Sequence, residues 1–178
     1  LIMSLAKIHF DKFFKVLEQN YKIANDVNIS LAWGKKLEKI KNPRIGVCWK
    51  GNKNNKNDFF RSIKYITLSK LFKLEEINFI SLQQYIELDE LEKINKVKNF
   101  THFNSTMDKN NKAFEDTIGI IRNVDLVITC DTSIAHLSAT LNKETWILLS
   151  TGSDWRWFTK DVKTPWYQNV KLFRQLKI

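Results

Sequence analysis

The stretch DLVITCDTSIAHLSATL, residues 125–141, decides the fold. Residues 126–128 are apolar and rich in β-branched side chains, and this short run bounded by polar residues indicates a strand buried on both faces. Three good N-cap residues follow at 131–133, and apolar residues then recur at helical spacing, at Ile134, Leu137 and Leu141. The sequence therefore predicts a buried strand that leads directly into a helix.

The turn between this strand and this helix is a candidate binding site. Open α/β sheets bind ligands beyond the carboxyl ends of their strands, and the free N–H groups and dipole of a helix N-terminus favour a phosphate. Asp131, Thr132 and Ser133 would stand at that point, with His136 about one turn into the helix. Alternatively, the three turn residues merely cap a structural helix and His136 joins a local hydrogen-bond network.

The rest of the chain from Pro43 onward alternates between strand and helix patterns. Strands are predicted at residues 44–49, 77–82, 100–103, 126–128 and 145–149, and helices at 68–74, 88–93, 114–121 and after Ser133. Such alternation is typical of an α/β fold with a parallel sheet covered by helices on both faces. We expect the strands that end at Trp49 and Cys130 to be neighbours, with both following loops on one edge.

Residues 1–42 differ from this pattern. Apolar spacing predicts one helix at residues 10–17 and another at 32–40, with a polar loop at 25–28 between them. Neither helix can bury its apolar face alone, so we interpret this part as a helical segment at the edge of a preceding domain. The second predicted domain is residues 43–178, because a proline at position 43 disfavours helix in the residue before it.

Composition limits the classes of protein. The chain has 178 residues, 43% hydrophobic and 12% aromatic, which suits a well-cored domain and excludes a disordered chain. The 29 Lys and Arg against 19 Asp and Glu give a net charge of +10, which is compatible with nucleic acid, an anionic membrane surface or an anionic ligand. Because the lysines are spread along the whole chain, we favour compositional drift and predict no nucleic-acid partner.

The two cysteines, Cys48 and Cys130, lie inside predicted buried strands. We interpret them as reduced core thiols, which indicates a cytoplasmic protein without a disulfide framework. No run approaches the roughly 20 apolar residues of a membrane span, and no signal segment opens the sequence.

A polar loop at residues 49–58 follows the first predicted strand. Gly51 would let the backbone approach a ligand closely, and Lys50, Lys53 and Arg61 could neutralise phosphate charge. A lysine-rich loop is usually only solvated, but the parallel topology would place this one beside the turn at residues 131–133. The spacing of a nucleotide-hydrolase phosphate loop is absent from the sequence.

The tail is rich in aromatic residues, among them Trp155, Trp157 and Trp166. They could stack on a nucleobase or a sugar, but we favour packing of the tail onto the core. The other two histidines, His9 and His102, lie far apart in the sequence, and no His/Cys cluster has metal-site spacing. No metal site is predicted.

Several separated motifs resemble the C-terminal half of bacterial tetratricopeptide-repeat-linked glycosyltransferases. They are residues 45–52, 61–62, 80–83, 125–149, 154–157 and 165–167. Those enzymes are similar in turn to the heptosyltransferases of lipopolysaccharide synthesis, whose signature Asp-Thr-Gly-x-x-His-Leu resembles residues 131–137. The resemblance implies a GT-B fold, in which two Rossmann-like halves hold the nucleotide sugar mainly in the C-terminal half and the acceptor in the other.

The resemblance also implies a set of nucleotide-sugar-binding residues. Thr132, Ser133 and His136 would meet the donor diphosphate, Lys50 and Asn52 would approach from the first loop, and Gln83 would line the nucleotide side. The full predicted set is Lys50, Gly51, Asn52, Arg61, Gln83, Asp131, Thr132, Ser133 and His136.

Two departures from the family pattern concern the helix after the turn. Ser133 stands where the heptosyltransferases have Gly, so the backbone would approach the ligand less closely. Residues 142–144, Asn-Lys-Glu, replace the usual Gly-Lys-Pro. We expect Asn142 to end the helix all the same, because Asn also tolerates the left-handed conformation.

The expected function is metal-independent glycosyl transfer from a nucleotide-diphosphate sugar, without a cofactor. No Asp-x-Asp follows any predicted strand, so helix dipole and cations would stabilise the departing diphosphate. The family's catalytic base comes from the N-terminal half, which this sequence is expected to lack. The acceptor, whether glycan, lipid or protein, would then be bound by an N-terminal acceptor domain, and a homo-oligomer is an alternative arrangement.

Three rival classes stay open. An inactive nucleotide-binding module would show the same turns, and a basic nucleic-acid-binding domain would lose affinity steeply with salt. A dinucleotide-dependent oxidoreductase would need Gly-x-Gly-x-x-Gly after a first strand, whereas Gly51 stands alone in its loop.

Overall fold

Six parallel strands form the central sheet in the part of the chain that the structure describes. The computed structural model describes residues 27–56, 58–103, 106–109, 113–159 and 162–176. The strands are β1 (Arg44–Cys48), β2 (Asn78–Ser81), β3 (Phe100–Thr101), β4 (Leu126–Cys130), β5 (Thr145–Leu149) and β6 (Val170–Arg174). Their order across the sheet is β3-β2-β1-β4-β5-β6, and every neighbouring pair is parallel. The predicted α/β fold is confirmed, with one strand more than the sequence indicated.

Helices cover both faces of the sheet. They are α1 (Val27–Leu37), α2 (Asp58–Arg61), α3 (Tyr65–Leu68), α4 (Leu88–Ile94), α5 (Glu115–Arg122) and α6 (Ser133–Thr140), with 3₁₀ turns at Leu71–Lys73 and Trp155–Trp157. Trp33 of α1 and Ile120 of α5 belong to the core on one face, whereas Leu68 of α3 and Ile94 of α4 belong to the core on the other. Within the described residues, none of these helices is long and apolar enough to cross a membrane.

Successive residues of the central strands face opposite cores. In β4, Val127 packs into the core beneath α1 and α5, and Ile128 packs into the core beneath α3 and α4. This burial on both faces explains why the strand reads as a continuous apolar run rather than an alternating one. Both cysteines are buried, as the sequence predicted, and they are not bonded to each other.

The first described helix covers residues that the sequence assigned to a loop. A loop is predicted at residues 25–28 and a helix at 32–40, but Val27 and Asn28 are already helical in α1, which ends at Leu37, and residues 25 and 26 lie outside the described residues. Ile29, Trp33 and Leu37 recur at four-residue spacing and pack into one core, so tertiary contact extends the helix over the polar Asn28. The helix predicted at residues 10–17 lies outside the described residues.

α1 packs closely on α5. A Cβ atom on Gly119 of α5 would overlap the Trp33 ring, so the absence of a side chain there makes room for the tryptophan. Trp33 Nε1 donates a hydrogen bond to Asp116 Oδ1 at 2.7 Å. These contacts fix α1 against the start of α5.

Two further elements differ from the sequence prediction. In place of the helix predicted at residues 68–74, α3 ends at Leu68 and a separate 3₁₀ turn covers Leu71–Lys73. Ser69 lies between them and donates from its hydroxyl to the Ile66 carbonyl at 3.1 Å. A serine side chain that bonds to the backbone competes with helix continuation. The tail contributes β6, which the sequence interpretation overlooked.

The aromatic tail partly packs onto the core. Trp157 is fully buried with Ala135 and Ala139 of α6, which supports the packing interpretation for that residue. Trp155 stays half-exposed and meets Trp166 edge to face, with ring centroids 6.1 Å apart.

Candidate functional site

The strand order reverses between β1 and β4. From β1 the chain proceeds to β2 and β3 on one side, and β4 to β6 continue on the other. In such open parallel sheets, ligands bind outside the carboxyl ends of the two strands at the reversal point. Cys48 near the end of β1 is paired with Thr129 near the end of β4, so the loop after Cys48 and the turn after Cys130 lie on one edge. The prediction of neighbouring strands with a shared edge is confirmed.

A cavity of about 630 Å³ occupies this edge. Seven of the predicted site residues line it: Lys50, Gly51, Asn52, Arg61, Gln83, Thr132 and Ser133. Asp131 and His136 are not among the lining residues. The fold thus brings the loop after β1 and the start of α6 into one cavity, together with residues that follow β2.

Arg61 connects the two sides of the cavity. Its Nε lies 2.9 Å from Asp58 Oδ1, and its Nη1 donates to the backbone carbonyl of Asp131 at 3.0 Å. The Ser62 hydroxyl donates to the second Asp58 oxygen at 2.8 Å and accepts from the Gly51 N–H at 3.1 Å. Asp131 therefore takes part through its backbone, as the acceptor that ties the β4–α6 turn to α2.

Gly51 stands against this ion pair. A Cβ atom at position 51 would overlap Asp58 Oδ1 and Arg61 Nη2. The sequence predicted that a ligand approaches the backbone at Gly51. In the described structure, the side chains of Asp58 and Arg61 occupy that space.

Gln83 holds the start of the loop after β1. Its Oε1 accepts from the backbone N–H of Trp49 at 3.2 Å and of Lys50 at 3.0 Å. The Cys48 thiol lies 3.5 Å from the same oxygen. The side chain of Gln83 is nearly buried, so its observed task is to position the loop while it lines the cavity.

The three cations predicted to neutralise phosphate charge, Lys50, Lys53 and Arg61, each have a carboxylate partner. Lys50 Nζ lies 2.7 Å from Glu90 Oε1, and Lys53 Nζ lies 3.5 Å from Glu87 Oε1. Glu90 is buried, and its other oxygen accepts from Trp49 Nε1 at 3.2 Å. Together with the Arg61 pair, these contacts make the cavity less cationic than its lysines alone suggest.

The sequence reasoning did not foresee Glu90. A signal was present, since Ile86, Glu90 and Ile94 follow one another at four-residue spacing and all three are buried. Glu90 and Ile94 lie on α4 and Ile86 lies just before it. An acidic residue spaced in this way between two apolar residues indicates a buried carboxylate, which then requires a partner.

The start of α5 forms another part of the lining. Asp108 Oδ1 accepts from the backbone N–H groups of Asp116 at 2.8 Å and Thr117 at 3.3 Å, so it caps the helix. Phe114, the residue before α5, has a left-handed φ of 68° and lines the cavity with Asp108 and Thr117. The sequence reasoning did not single out these residues.

The N-terminus of α6 opens on the cavity. Thr132 is its N-cap residue, but the Thr132 side chain makes no capping hydrogen bond. Its Oγ1 instead lies 3.2 Å from Thr129 Oγ1 and 3.9 Å from the Cys48 sulfur. Ser133 and Ile134, whose N–H groups open the helix, both line the cavity. The helix dipole therefore favours negative charge in this part of the cavity.

The Cys48 thiol also lines the cavity, but its environment keeps it protonated. Burial raises the pKa of Cys48 to about 11, although hydrogen bonds from Thr132 and Thr129 act in the opposite direction. A thiol with so high a pKa is a poor nucleophile at neutral pH.

His136 packs against the tail. Its ring stacks on Trp157, with centroids 5.0 Å apart and planes at 20°, and its Nδ1 lies 3.0 Å from the Tyr167 hydroxyl. Burial, and then the positive charge of Arg156, lower the pKa of His136 below its usual 6.5. The observed contacts match the alternative of a local hydrogen-bond network, and the role of His136 toward a diphosphate stays a prediction.

No group of three or more His, Cys, Asp and Glu side chains in the described ranges could hold a metal ion. The acidic residues at the cavity are engaged with cations or helix N–H groups instead, as with Asp58 and Asp108.

No protein-family model and no curated protein matches this sequence. Solved structures do match. The E. coli ADP-heptose lipopolysaccharide heptosyltransferase II is 13% identical with a TM-score of 0.59, over 87% of this chain and 45% of that chain. The E. coli heptosyltransferase WaaC with ADP-2-deoxy-2-fluoro heptose is 13% identical with a TM-score of 0.51, over 86% and 43%. WaaC with ADP gives 12% identity and a TM-score of 0.51, over 86% and 44%.

The chain thus spans less than half the length of these heptosyltransferases. At 13% identity or less, the likeness shows a shared fold but not a shared function, because one fold supports many functions. The comparisons do not address a tetratricopeptide-repeat linkage. With its six-stranded parallel sheet covered by helices, the chain has the Rossmann-like α/β fold of the GT-B heptosyltransferases.

Proposed function

We propose that this chain is the donor-binding half of a glycosyltransferase and holds a nucleotide-diphosphate sugar in the cavity between β1 and β4. The observation that carries the proposal is the cavity of about 630 Å³ at the point where the strand order reverses. That is where open α/β sheets bind nucleotides, and the volume falls in the range of small-molecule sites. The fold shared with heptosyltransferases supports this reading as an analogy.

The diphosphate would lie at the N-terminus of α6. The N–H groups of Ser133 and Ile134 and the helix dipole would meet its negative charge, and neither needs a divalent ion. Lys50 and Arg61 are paired with Glu90 and Asp58, so they would stabilise the diphosphate only to the extent that it competes with these carboxylates. The helix terminus therefore contributes more to the proposed donor site than the lysine-rich loop does.

Catalysis would consist of stabilising the departing diphosphate. As the bond between the sugar and the diphosphate of the donor breaks, negative charge grows on the leaving diphosphate. Preoriented N–H donors stabilise such charge in the transition state. We propose that residues outside this sequence bind the acceptor and provide the catalytic base, since the chain spans less than half the length of its structural neighbours.

Calorimetric titration of the chain with UDP, ADP and GDP, each with and without EDTA, tests the donor site. We expect at least one diphosphate to bind at micromolar to millimolar concentration and EDTA to leave its affinity unchanged. Failure of all three to bind at millimolar concentration contradicts the proposed site. Loss of binding in EDTA contradicts its metal independence.

Ser133→Asp gives a sharper test, because it separates ligand binding from helix stability. A carboxylate at the first position of α6 would repel a phosphate but interact favourably with the helix dipole. We expect about tenfold weaker diphosphate binding without loss of thermal stability. The matched control is Thr67→Asp, which adds the same charge on an exposed residue outside the cavity lining and should leave binding unchanged.

A further inference from the structure

Three large apolar side chains close together in the sequence are exposed: Phe59 and Phe60 of α2, whose Asp58 and Arg61 line the cavity, and Ile66 of α3. The exposed fractions of these residues are 83%, 65% and 70%, and the two phenyl rings meet edge to face with centroids 5.6 Å apart. Single exposed apolar residues are common, but two exposed phenyl rings in mutual contact, followed by a third large exposed apolar residue within eight positions of the sequence, indicate a surface that binds a partner. We refer to these three residues as the aromatic patch.

The direction in which the patch faces is fixed by the other residues of α2. Asp58 is nearly buried, and Arg61 is held by Asp58 and by the Asp131 carbonyl, so both are anchored at the cavity. Phe59 and Phe60 lie between them in the sequence and remain largely exposed to solvent. The helix thus places its charged residues inward and its aromatic residues outward, which is the reverse of an ordinary surface helix.

The sequence around the aromatic patch is rich in positively charged residues. Residues 53–73 contain six Lys or Arg and one acidic residue, and that residue, Asp58, is already paired with Arg61. Lys56, Lys64 and Lys70 are exposed. An anionic partner with an apolar interior would therefore complement this surface in both charge and hydrophobicity.

We propose that the aromatic patch attaches the protein to an anionic lipid membrane surface. Phe59, Phe60 and Ile66 would enter the boundary between headgroups and acyl chains, while the lysines around them would contact the phosphates. This attachment is peripheral and does not depend on the proposed function. It would hold the α2 wall of the cavity next to the lipid surface.

Two other classes of partner fit the surface less well. A stable protein interface engages about 20 residues on each side, far more than three side chains on two one-turn helices offer. Single-stranded nucleic acid stacks its bases on aromatic faces, but the two phenyl planes stand at 82° to each other and Ile66 has no ring.

Vesicle co-sedimentation tests the proposal with the full chain. We expect it to sediment with phosphatidylcholine vesicles that contain about one third phosphatidylglycerol, to stay in solution with pure phosphatidylcholine, and to be released by salt. Phe59→Ser combined with Phe60→Ser should weaken binding by about tenfold or more, as should Lys64→Glu combined with Lys70→Glu. Circular dichroism and thermal melting of each variant verify that it is folded.

The matched control is Leu88→Ser. Leu88 is 77% exposed, as open as the aromatic patch, but it opens α4 beside the acidic Asp89 and Glu90. We expect this variant to bind anionic vesicles like the unaltered chain. Equal binding by the double phenylalanine variant, or no preference for anionic vesicles, overturns the proposal. It is also overturned if the phenylalanine changes abolish self-association or single-stranded DNA binding and leave vesicle binding intact.

Discussion

At the scale of single residues, the cavity is balanced in charge rather than simply positive. Lys50 pairs with Glu90 at 2.7 Å, and Arg61 pairs with Asp58 at 2.9 Å. Glu90 is 40 positions from Lys50 in the sequence, so no local pattern shows that the two will meet. A bound phosphate would have to compete with these carboxylates, and this competition can be measured.

Glu90→Gln removes the competing charge at Lys50 and keeps an acceptor for Trp49 Nε1. We expect nucleoside diphosphate to bind several-fold more tightly, because Lys50 becomes available to the phosphate. The free energy of unfolding should fall by about 1 to 3 kcal/mol, because a partly buried ammonium loses its partner. Calorimetry and urea denaturation measure the two effects.

The matched control is Glu87→Gln, which breaks the longer and more exposed pair with Lys53, at 3.5 Å. Such exposed pairs contribute at most about 1 kcal/mol, so stability should hardly change. Weaker diphosphate binding by Glu90→Gln would contradict the competition and would show that Glu90 mainly positions Lys50.

His136 makes stability depend on pH. Burial, followed by the charge of Arg156, lowers its pKa in the folded state below the usual 6.5, whereas the unfolded chain keeps the usual pKa. In the interval between these two pKa values the unfolded state binds more protons, so stability falls as pH drops through 6.5. The loss is complete once the pH lies below the folded-state pKa.

The change that tests this dependence is His136→Asn, which cannot titrate and still offers the Tyr167 hydroxyl a hydrogen-bonding partner. We expect its free energy of unfolding to vary less than that of the unaltered chain between about pH 7.5 and 5.5. Urea denaturation at several pH values gives the comparison. If the free energy of unfolding varies equally with pH in the two proteins, His136 is not the source of the pH dependence.

At the scale of elements, α6 is the one that the sequence describes best. Its start at Ser133 and its end were both expected from local residues, and Asn142 has the predicted left-handed φ, at 57°. The Asn142 N–H donates to the Ala139 carbonyl and the Lys143 N–H to the Ser138 carbonyl, both at 3.0 Å. This is the paired hydrogen-bond pattern of a Schellman motif.

Asn142→Ala should lower the free energy of unfolding by about 1 kcal/mol, because alanine tolerates the left-handed region less well than asparagine. Asn142→Gly should be neutral or slightly stabilising at the same position, because glycine adopts this φ without steric cost. Urea denaturation of the two variants provides the measurement. Equal losses for Ala and Gly would mean that the Asn142 side chain, rather than its backbone conformation, stabilises the turn.

The elements that sequence reasoning missed depend on contacts distant in sequence. β6 is an edge strand in which Val170 and Leu172 are buried and Lys171 is exposed, and this alternation is too short to indicate a strand before its pairing with β5 is known. α1 extends over polar Asn28 because Ile29 and Trp33 pack onto α5. Local pattern was sufficient where a strand is buried on both faces, as in β4, and insufficient where a neighbouring element decides the boundary.

The candidate site shows the same division. Its position follows from the order of strands and helices, so the meeting of the β1 loop with the start of α6 could be predicted from the sequence. The carboxylates of Glu90 and Asp108 could not, because they come from elements whose lateral placement only the folded chain defines. The sequence thus identified the edge of the sheet and the cations, and the structure adds Glu90 as the partner of Lys50 and Asp108 as the cap of α5.

At the scale of the whole molecule, the cavity edge carries three features side by side: the start of α6, the paired cations and the aromatic patch. The chain spans 45% of the length of heptosyltransferase II and 43% or 44% of WaaC. Under the proposed function, donor binding and transfer should therefore be separable, since transfer also requires an oriented acceptor and a base.

We accordingly predict that this chain binds a nucleoside diphosphate but does not transfer sugar on its own. In-line attack needs the acceptor held in place, and such positioning lowers a barrier by about 7 kcal/mol or more, which a donor site alone does not supply. A base within hydrogen-bond reach of the acceptor hydroxyl typically contributes a further factor of about 10² to 10⁴. The assay incubates the chain with UDP-, ADP- and GDP-sugars and simple hydroxyl acceptors, and measures diphosphate release and glycoside formation beside the binding titration. Binding without transfer is the expected result, whereas robust transfer by the chain alone would place the acceptor site and its base within these 178 residues.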